Sequence, residues 1–373
     1  MPDWRVTLAD IRLEPEDLEA VRAALESGWL TQGPRTQSFE RAFAAYAGTE
    51  HALAVSSGTA ALHIACVAAG LGPGDEVICP SLTFVASANA PAYTGAEVVL
   101  ADVRSPLEPV LCAERVAELI TPRTRAVMLV HYAGYPAIDT ELERLCDEHG
   151  LMVIEDAAHA AGTRVEGLHA GAWGDFGCFS FFSNKNLAIG EGGMLVTSDH
   201  DLHERAKPLR SHGMSTLTWD RHRGHASGYD VTARGFNYRL DEPRSALGES
   251  RLRRLDADND RRRQLVALYR EALADVEGVE VPFGGRPLEG SSHHILPVLV
   301  EAGGRDARRE SMAGAGIQTS LHYPPVHTFS VYAEARRGDL AATEEYAART
   351  ITLPLHPLME AGDVQAVVEA LTG

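Results

Sequence analysis

Segments with strand and helix patterns alternate over the first half of the chain, and this alternation restricts the fold more than any other feature. The predicted strands cover residues 51–55, 76–79, 97–101, 125–131 and 151–154, and the predicted helices cover 59–69, 84–93 and 140–149. Strands joined through helices pair in parallel, because each helix carries the chain back to the same end of the sheet. The sequence therefore predicts an α/β domain with a mostly parallel sheet between helices.

Further segments extend this domain at both ends. We expect helices at 14–27 and 36–47, strands near 177–182 and 193–197, a long mobile loop over 214–235 and a long helix over 242–273. Strands near 292–300 and helices near 305–314 and 343–350 predict a smaller C-terminal α+β domain. A chain of 373 residues with 45% apolar content is large enough for two domains. We place them at residues 1–250 and 251–373.

The composition argues against several classes of protein. A formal net charge of -18 disfavours binding to nucleic acid or to anionic membranes. The arginines between 251 and 263 alternate with aspartates, which favours a solvated, salt-bridged helix face over a nucleic-acid interface. The five cysteines are isolated, so we expect reduced core thiols and no metal site. The N-terminus lacks an apolar leader and no apolar run has membrane-spanning length, which predicts a cytoplasmic protein.

Lys185 is one of only two lysines in the chain, the other being Lys207, while arginine supplies the remaining 32 of the 34 basic residues. An arginine cannot replace a lysine that forms a Schiff base, because its guanidinium stays protonated. Lys185 follows an apolar strand and precedes the glycine cluster 190–193, where desolvation lowers the pKa of an amine. Taken alone, this window fits a solvated surface lysine equally well.

Three other segments lie at the ends of predicted strands, where open α/β sheets bind ligands. Ser56–Ala60 joins a strand to a helix, and its small residues suit a phosphate at the helix N-terminus, although any such turn has a similar pattern. Phe84 follows a strand and is suited to lie flat on an aromatic ligand; the alternative is a core aromatic.

Asp156 ends the strand that runs into Ala157-Ala158-His159. A carboxylate at the end of a buried strand is costly unless it meets a cation, such as a protonated pyridine nitrogen. The alternatives are a helix N-cap for Asp156 and a core position for His159. Together, an amine, a carboxylate, a flat aromatic and a phosphate cup match pyridoxal 5′-phosphate (PLP), which needs each of them.

The chain resembles the DegT/DnrJ/EryC1/StrS family of PLP-dependent sugar aminotransferases from about residue 5 to the C-terminus. The resemblance is carried by 28–34 (GWLTQGP), 56–62, 74–78, 155–159 (EDAAH), 179–193, 235–239 (GFNYR) and 322–327 (HYPPVH). It implies a fold-type I homodimer with active sites at the subunit interface. The stretches 102–109 and 239–244 depart from the family's usual pattern. These departures affect the prediction of the substrate more than the prediction of the reaction.

The resemblance also implies roles for individual residues. Lys185 would form the Schiff base, Asp156 would face the pyridine nitrogen, and His159 would lie beside the ring on which Phe84 stacks. Gly58, Thr59 and Ser180 would hold the phosphate, and Asn237 would reach the phosphate of the neighbouring subunit's cofactor. Thr31, His322, Tyr323 and His327 would lie on the substrate side of the pocket.

These roles predict a ping-pong aminotransferase. L-glutamate would give its amino group to the cofactor, which would pass it to a keto group of a nucleotide-linked sugar or a related cyclitol. A branch of the family carries histidine in place of the lysine and dehydrates sugars, and Lys185 argues against that branch. Two alternatives remain. One is another PLP reaction on the same residues. The other is a regulatory protein on the same fold, which the lack of a DNA-binding module in the sequence argues against.

Overall fold

A seven-stranded sheet forms the centre of the larger part of the protein. The computed structural model describes residues 4–216, 219 and 228–373. The strands of this sheet are β1 (His51–Val55), β2 (Glu76–Pro80), β3 (Glu97–Ala101), β4 (Thr124–Val130), β5 (Met152–Asp156), β8 (Phe176–Ser180) and β9 (Gly193–Thr197). The short strands β6 (Arg164–Val165) and β7 (Leu168–His169) pair with each other outside this sheet. The sheet order is β3-β2-β4-β5-β8-β9-β1. Only β9 runs against its neighbours, so the predicted α/β class with a mostly parallel sheet is confirmed.

Helices cover both faces of this sheet. They are α1 (Pro15–Glu26), α2 (Pro34–Ala47), α3 (Gly58–Ala68), α4 (Ala86–Tyr93), α5 (Ala113–Ala117), α6 (Thr140–His149) and α7 (His200–Leu209). The local sequence sets their ends: proline stands in the first turn of α1 and α2, and Gly48 and Gly150 adopt the left-handed conformation that ends α2 and α6. Every residue of β2 and of β9 is buried, as expected for strands covered on both faces.

The C-terminal part has a small sheet and a core of its own. It contains α8 (Glu242–Leu252), α9 (Leu255–Leu273), β10 (Val279–Glu280), β11 (Leu296–Val300), α10 (Arg305–Gly314), α11 (Ala341–Arg349), β12 (Thr350–Leu353) and α12 (Ala361–Thr372). The three strands pair in the antiparallel order β10-β11-β12, over a core that includes Tyr269, Val298 and Val367. The domain boundary at 250/251 stays a prediction.

Two predicted elements differ in the structure. The helix expected over 242–273 is two helices, because the chain turns at Arg253–Arg254 and restarts at Leu255. The strand expected over 292–300 begins only at Leu296, because Ser292 and His294 donate their backbone N–H groups to Gly134 and Ala133, in the turn that follows β4, rather than to a strand of the small sheet. Met214 pairs with Val231 across the loop expected over 214–235, while 217–218 and 220–227 lie outside the described residues.

Three further features concern membrane-spanning helices, metal-binding groups and the cysteines. Within the described ranges no helix is long and apolar enough to cross a membrane, and no group of three or more acidic, histidine or cysteine side chains is placed to hold a metal ion. All five cysteines are buried free thiols.

Candidate active site

A cavity of about 280 Å³ opens at the carboxyl ends of the parallel strands. Its walls come from the N-terminus of α3, the segment after β2, the ends of β5 and β8, and the segment around Tyr323. The predicted residues that line it are Gly58, Thr59, Phe84, Asp156, His159, Ser180, Lys185, His322 and Tyr323. Residues far apart in the chain meet here because carboxyl ends of parallel strands share one edge of a sheet.

Lys185 extends into this cavity from the turn that follows β8. Burial lowers the pKa of its amine to about 8, although the nearby charge of Asp156 acts in the opposite direction. Lys207, by contrast, lies exposed on α7, with its Nζ 3.4 Å from a carboxylate oxygen of Glu204. Of the two lysines, Lys185 is therefore the one poised to act as a neutral amine near physiological pH.

Asp156 is the last residue of β5, and strand geometry decides which of two neighbouring carboxylates enters the cavity. Successive side chains point to opposite faces of a strand. Glu155 turns away from the cavity and binds His131 at 2.7 Å together with three backbone N–H groups. Asp156 faces the cavity, where its Oδ2 accepts from Ser87 Oγ at 2.6 Å and its Oδ1 from the Ala158 N–H at 3.1 Å. No helix begins at Asp156, so the N-cap alternative is wrong.

The N-terminus of α3 is where the sequence predicts a phosphate cup. Ser57 caps the helix by accepting from the Ala60 N–H at 3.1 Å, and no acidic residue stands in the first turn. Gly58 lies so close to Ser180 that an added Cβ would be 2.8 Å from the Ser180 Cβ. This close approach places Ser180 beside the first turn of the helix, and Thr59 and Ser180 both line the cavity there, an arrangement that suits an anion.

Phe84 forms one side of the cavity mouth. Its side chain is 54% exposed, so the core-aromatic alternative is wrong. Its ring centroid lies 5.6 Å from that of Tyr323. An exposed aromatic face beside a buried carboxylate and amine suits a planar ring placed between them.

His159 and Tyr323 form a hydrogen-bonded pair deeper in the cavity. The His159 Nδ1 accepts from the Ala133 N–H at 3.3 Å, so its Nε2 carries the proton and donates to the Tyr323 hydroxyl at 2.8 Å. Burial and the charge of Lys185 hold the pKa of His159 well below its usual value. The tyrosine O–H is thus left to donate to a bound ligand.

The remaining predicted residues are placed differently. His322 is buried with its Nδ1 2.9 Å from the Thr352 hydroxyl, and it lines the cavity. His327 lies outside, 2.8 Å from Ser81 Oγ, and lines a neighbouring cavity together with Tyr323. Thr31 and Asn237 are exposed and do not line the cavity of this chain.

Comparison with known proteins identifies the family. The DegT/DnrJ/EryC1/StrS aminotransferase family matches residues 12–372. The chain belongs to this family. It is 38% identical over 371 residues to the spore coat polysaccharide biosynthesis protein SpsC of Bacillus subtilis, covering 95% of this chain and 93% of that protein.

Solved structures agree with this assignment. The crystal structure of DesV of S. venezuelae in complex with a ketimine intermediate is 38% identical with a TM-score of 0.88, covering 96% of this chain and 93% of DesV. The structure of DesI in the presence of its TDP-sugar product is 34% identical with a TM-score of 0.89, covering 100% of this chain and 93% of DesI. The predicted enzyme class, a PLP-dependent sugar aminotransferase, is confirmed.

The cavity of this aminotransferase fits its cofactor. A cavity of about 280 Å³ has room for a small substituted pyridine. An amine of lowered pKa suits an aldehyde, a carboxylate suits a protonated ring nitrogen, and a helix N-terminus without acidic neighbours suits a phosphate. The residues present therefore match the three functional groups of PLP.

Sequence reasoning missed two residues that contact this site. Ser87 lies in the first turn of α4 and donates to Asp156, and His294 lies 3.4 Å from the Lys185 amine. The sequence feature that could have drawn attention to His294 is the string Ser291-Ser292-His293-His294, which places polar and imidazole groups directly ahead of a buried strand.

Proposed function

We propose that this aminotransferase transfers the amino group of L-glutamate to a keto group on a nucleotide-linked sugar or a related cyclitol. The observation that carries the proposal is one cavity that holds the Lys185 amine, the Asp156 carboxylate and the anion-binding start of α3. The acceptor class is supported by DesI, whose product is a TDP-sugar. The free, buried thiols support a reducing, cytoplasmic setting.

The residues of the cavity divide the work. The bound cofactor supplies an electron sink that stabilises negative charge on the carbon beside the transferred nitrogen. Asp156 holds the proton on the pyridine nitrogen, and Ser87 fixes the orientation of this carboxylate. Lys185, free as an amine, would take the proton from the α-carbon of the donor and pass it to the cofactor carbon that bears the nitrogen, an effect worth about 10²–10⁴-fold. Gly58, Thr59 and Ser180 hold the phosphate, and Phe84 and His159 enclose the ring.

The active site is proposed to be completed by a second copy of the chain. Asn237 is exposed, and its two neighbours are held by backbone hydrogen bonds, Phe236 to His212 and Tyr238 to Arg210 and Ser56. From there it would reach the phosphate in the partner subunit of a homodimer. His322 and Tyr323 line this cavity and would meet an acceptor in it. His327, in the neighbouring cavity that Tyr323 also lines, would meet only a longer, nucleotide-bearing acceptor. The exposed Thr31 is also proposed to bind the acceptor.

Two half-reactions test the proposal. Glutamate added to the PLP-loaded enzyme without an acceptor should bleach the PLP absorbance and release one 2-oxoglutarate per site. A panel of keto-sugar nucleotides and keto-cyclitols should then restore the absorbance with one member and yield its amino derivative. Loss of a hydroxyl from the sugar without release of a 2-oxo acid would instead establish the dehydratase alternative. Failure of glutamate and every other amino donor would reject transamination.

A further inference from the structure

His294 contacts the amine of Lys185, and the proposed function assigns it no role. The two nitrogens, Lys185 Nζ and His294 Nε2, are 3.4 Å apart. His294 comes from the segment just before β11, 109 residues along the chain, and its side chain is buried. The imidazole therefore lies next to the Lys185 amine without itself lining the cavity.

The hydrogen bonds behind His294 fix which of its nitrogens carries the proton. Its Nδ1 lies 2.9 Å from Asn186 Oδ1. The amide nitrogen of Asn186 donates to the backbone carbonyl of Ser292 at 2.8 Å, and a carbonyl can only accept. This fixes the orientation of the Asn186 amide, so Oδ1 is an acceptor, Nδ1 of His294 is the donor, and Nε2 presents its lone pair to Lys185.

The same network is anchored on α9. Asn259 accepts from the Asn186 amide at 2.7 Å and donates to the carbonyl of Ala161 at 2.9 Å, which fixes its own orientation. Arg262 donates to the backbone carbonyl of His294 at 3.3 Å. The imidazole is thus held from both its ring and its backbone by buried groups.

The surroundings keep the ring of His294 neutral. Burial, followed by the charge of Lys185, holds its pKa well below the usual value. The other groups that face it are the imidazoles of His159 and His322 and the guanidinium of Arg262, and each of them also disfavours a second positive charge. Nε2 therefore stays a hydrogen-bond acceptor over the working pH range.

We propose that His294 is a positioning residue, which accepts an N–H hydrogen bond from Lys185 and so turns the lone pair of the amine into the cavity. This inference rests on the proposed function, in which the freed lysine moves the proton. A proton-transfer group must be held at the reacting carbon, and Lys185 otherwise ends in four rotatable bonds. Because an acceptor favours the ammonium over the amine, His294 also keeps the pKa of Lys185 higher than an apolar wall would.

Two substitutions separate this role from packing. His294→Gln retains an acceptor for Lys185 and a donor for Asn186, whereas His294→Leu retains neither and has similar bulk. In the apoenzyme, trace acetylation with acetic anhydride across pH 6–10, followed by peptide mass spectrometry, reports the pKa of each lysine. Lys207 serves as the internal control because it is exposed and distant from the cavity.

The proposed role and a damaged fold shift the pKa of Lys185 in opposite directions. In His294→Leu the midpoint for Lys185 should fall by about one pH unit, since a hydrogen bond to a charged group is lost. A disrupted pocket would let water reach the amine and move the midpoint upward, toward that of Lys207. His294→Gln should remain near the wild-type midpoint, and Lys207 should not change in either variant.

The loaded enzyme gives a second measurement. The single-turnover half-reaction with glutamate should slow about tenfold in His294→Leu, less than the roughly 10²–10⁴-fold of the proton-transfer group itself, because Lys185 remains and loses only its orientation. The isotope effect from α-deuterated glutamate should increase, and His294→Gln should recover most of the rate. A folded leucine variant with an unchanged Lys185 midpoint, or a glutamine variant no better than leucine, would overturn the inference.

The acetylation arm needs no substrate and distinguishes the two proposals. If glutamate fails as a donor in the wild type, the proposed function fails, while the Lys185 midpoints still test His294. Should His294→Leu not fold, His294→Met provides a more adaptable apolar side chain for the same comparison.

Discussion

The inner wall of the site comprises Asp156, His159 and Lys185 at the cavity and His294 next to the Lys185 amine. It differs in construction from the outer rim, which comprises Phe84 and Phe182 at the cavity mouth and the exposed Asn237 outside the cavity. Each inner-wall side chain has a hydrogen-bond partner within the same chain. At the rim, Phe84 is 54% and Phe182 46% exposed, and the Asn237 side chain is also exposed. The inner-wall side chains are therefore held by contacts within one chain, whereas the side chains of the rim are exposed on the surface of that chain.

This difference follows from the energetics of burial. A buried amine or carboxylate without partners is costly, so the inner wall must be complete before any ligand binds. Exposed phenylalanines cost little in the monomer and gain free energy when a second surface covers them. The contrast predicts that inner-wall substitutions reduce the rate of the chemical step, whereas rim substitutions reduce binding and depend on the partner subunit.

The largest effect is expected at Lys185. Lys185→Ala should lower turnover by more than about 10⁴-fold, because both the covalent attachment point and the proton carrier are removed. Borohydride reduction of the loaded wild-type enzyme and peptide mapping should place the pyridoxyl group on Lys185. A label on Lys207, or near-normal turnover of Lys185→Ala, would contradict the assignment.

Asp156 should be next in the order. Asp156→Asn preserves shape and removes the charge, so turnover should fall by at least about 10²-fold, as expected for one preorganised electrostatic group. Ser87→Ala should cost less, about tenfold, because the carboxylate remains but loses the 2.6 Å hydrogen bond that orients it. Asp199→Asn is the matched control, since Asp199 caps α7 and does not line the cavity. Equal activities of the Asp156→Asn and Asp199→Asn variants would mean that another anion faces the ring nitrogen.

The rim is tested most directly by mixing subunits. Asn237→Ala alone should weaken cofactor retention and lower activity about tenfold, by loss of one hydrogen bond to a charged phosphate. Mixed with Lys185→Ala, it should regain activity, because a heterodimer with Asn237 acting across the interface has one site that carries both substitutions and one that carries neither. Random exchange gives about a quarter of wild-type activity at equal amounts.

A negative result in this experiment is equally informative. If subunit exchange is demonstrated with differently tagged chains and no activity returns, Asn237 acts in its own subunit or not at all. The distinction between a self-contained inner wall and a shared rim would then have to be abandoned.

The sequence predicts the inner wall better than the packing around it. Alternating periodicity places Asp156 and Ser56 at strand ends, and parallel pairing brings strand ends together without any knowledge of side-chain contacts. Lysine scarcity singles out Lys185 for a chemical reason. These predictions depend on local pattern and on residue chemistry, which the sequence contains directly.

His294 and Ser87 could not be found in this way. His294 meets Lys185 only because the backbone of Ser292 and His294 bonds to the turn that follows β4 rather than to the small sheet, and no local pattern encodes that path. The break at Arg253–Arg254 interrupts an otherwise continuous helical pattern without glycine or proline. It coincides with a tertiary contact, the ion pair of Arg254 with buried Asp17 of α1. Contacts between distant segments decide such features.

The smallest expected effect, on stability, isolates the cost of burying the inner-wall amine. In the folded apoenzyme the pKa of Lys185 is about 8, against the ordinary lysine value of 10.5 in the unfolded chain. Below pH 8 both states are protonated and the folded state bears the full penalty. Between pH 8 and 10.5 the unfolded chain binds more protons, so wild-type stability increases with pH. Lys185→Met removes the charge and should be more stable than wild type at pH 7 by about 1–3 kcal/mol.

That gain should shrink as the pH rises from about 8 to above 10, where the wild-type amine is neutral in both states. Urea unfolding of the two apoenzymes at about pH 7 and pH 10, at equal protein concentration, measures the difference. Lys207→Met provides the control, because an exposed lysine has no burial penalty to relieve and should show no gap at either pH. A gap of the same size at both pH values would mean that Lys185→Met acts through packing rather than charge. The pKa of Lys185 would then be the same in the folded and unfolded states, and desolvation would not have lowered it.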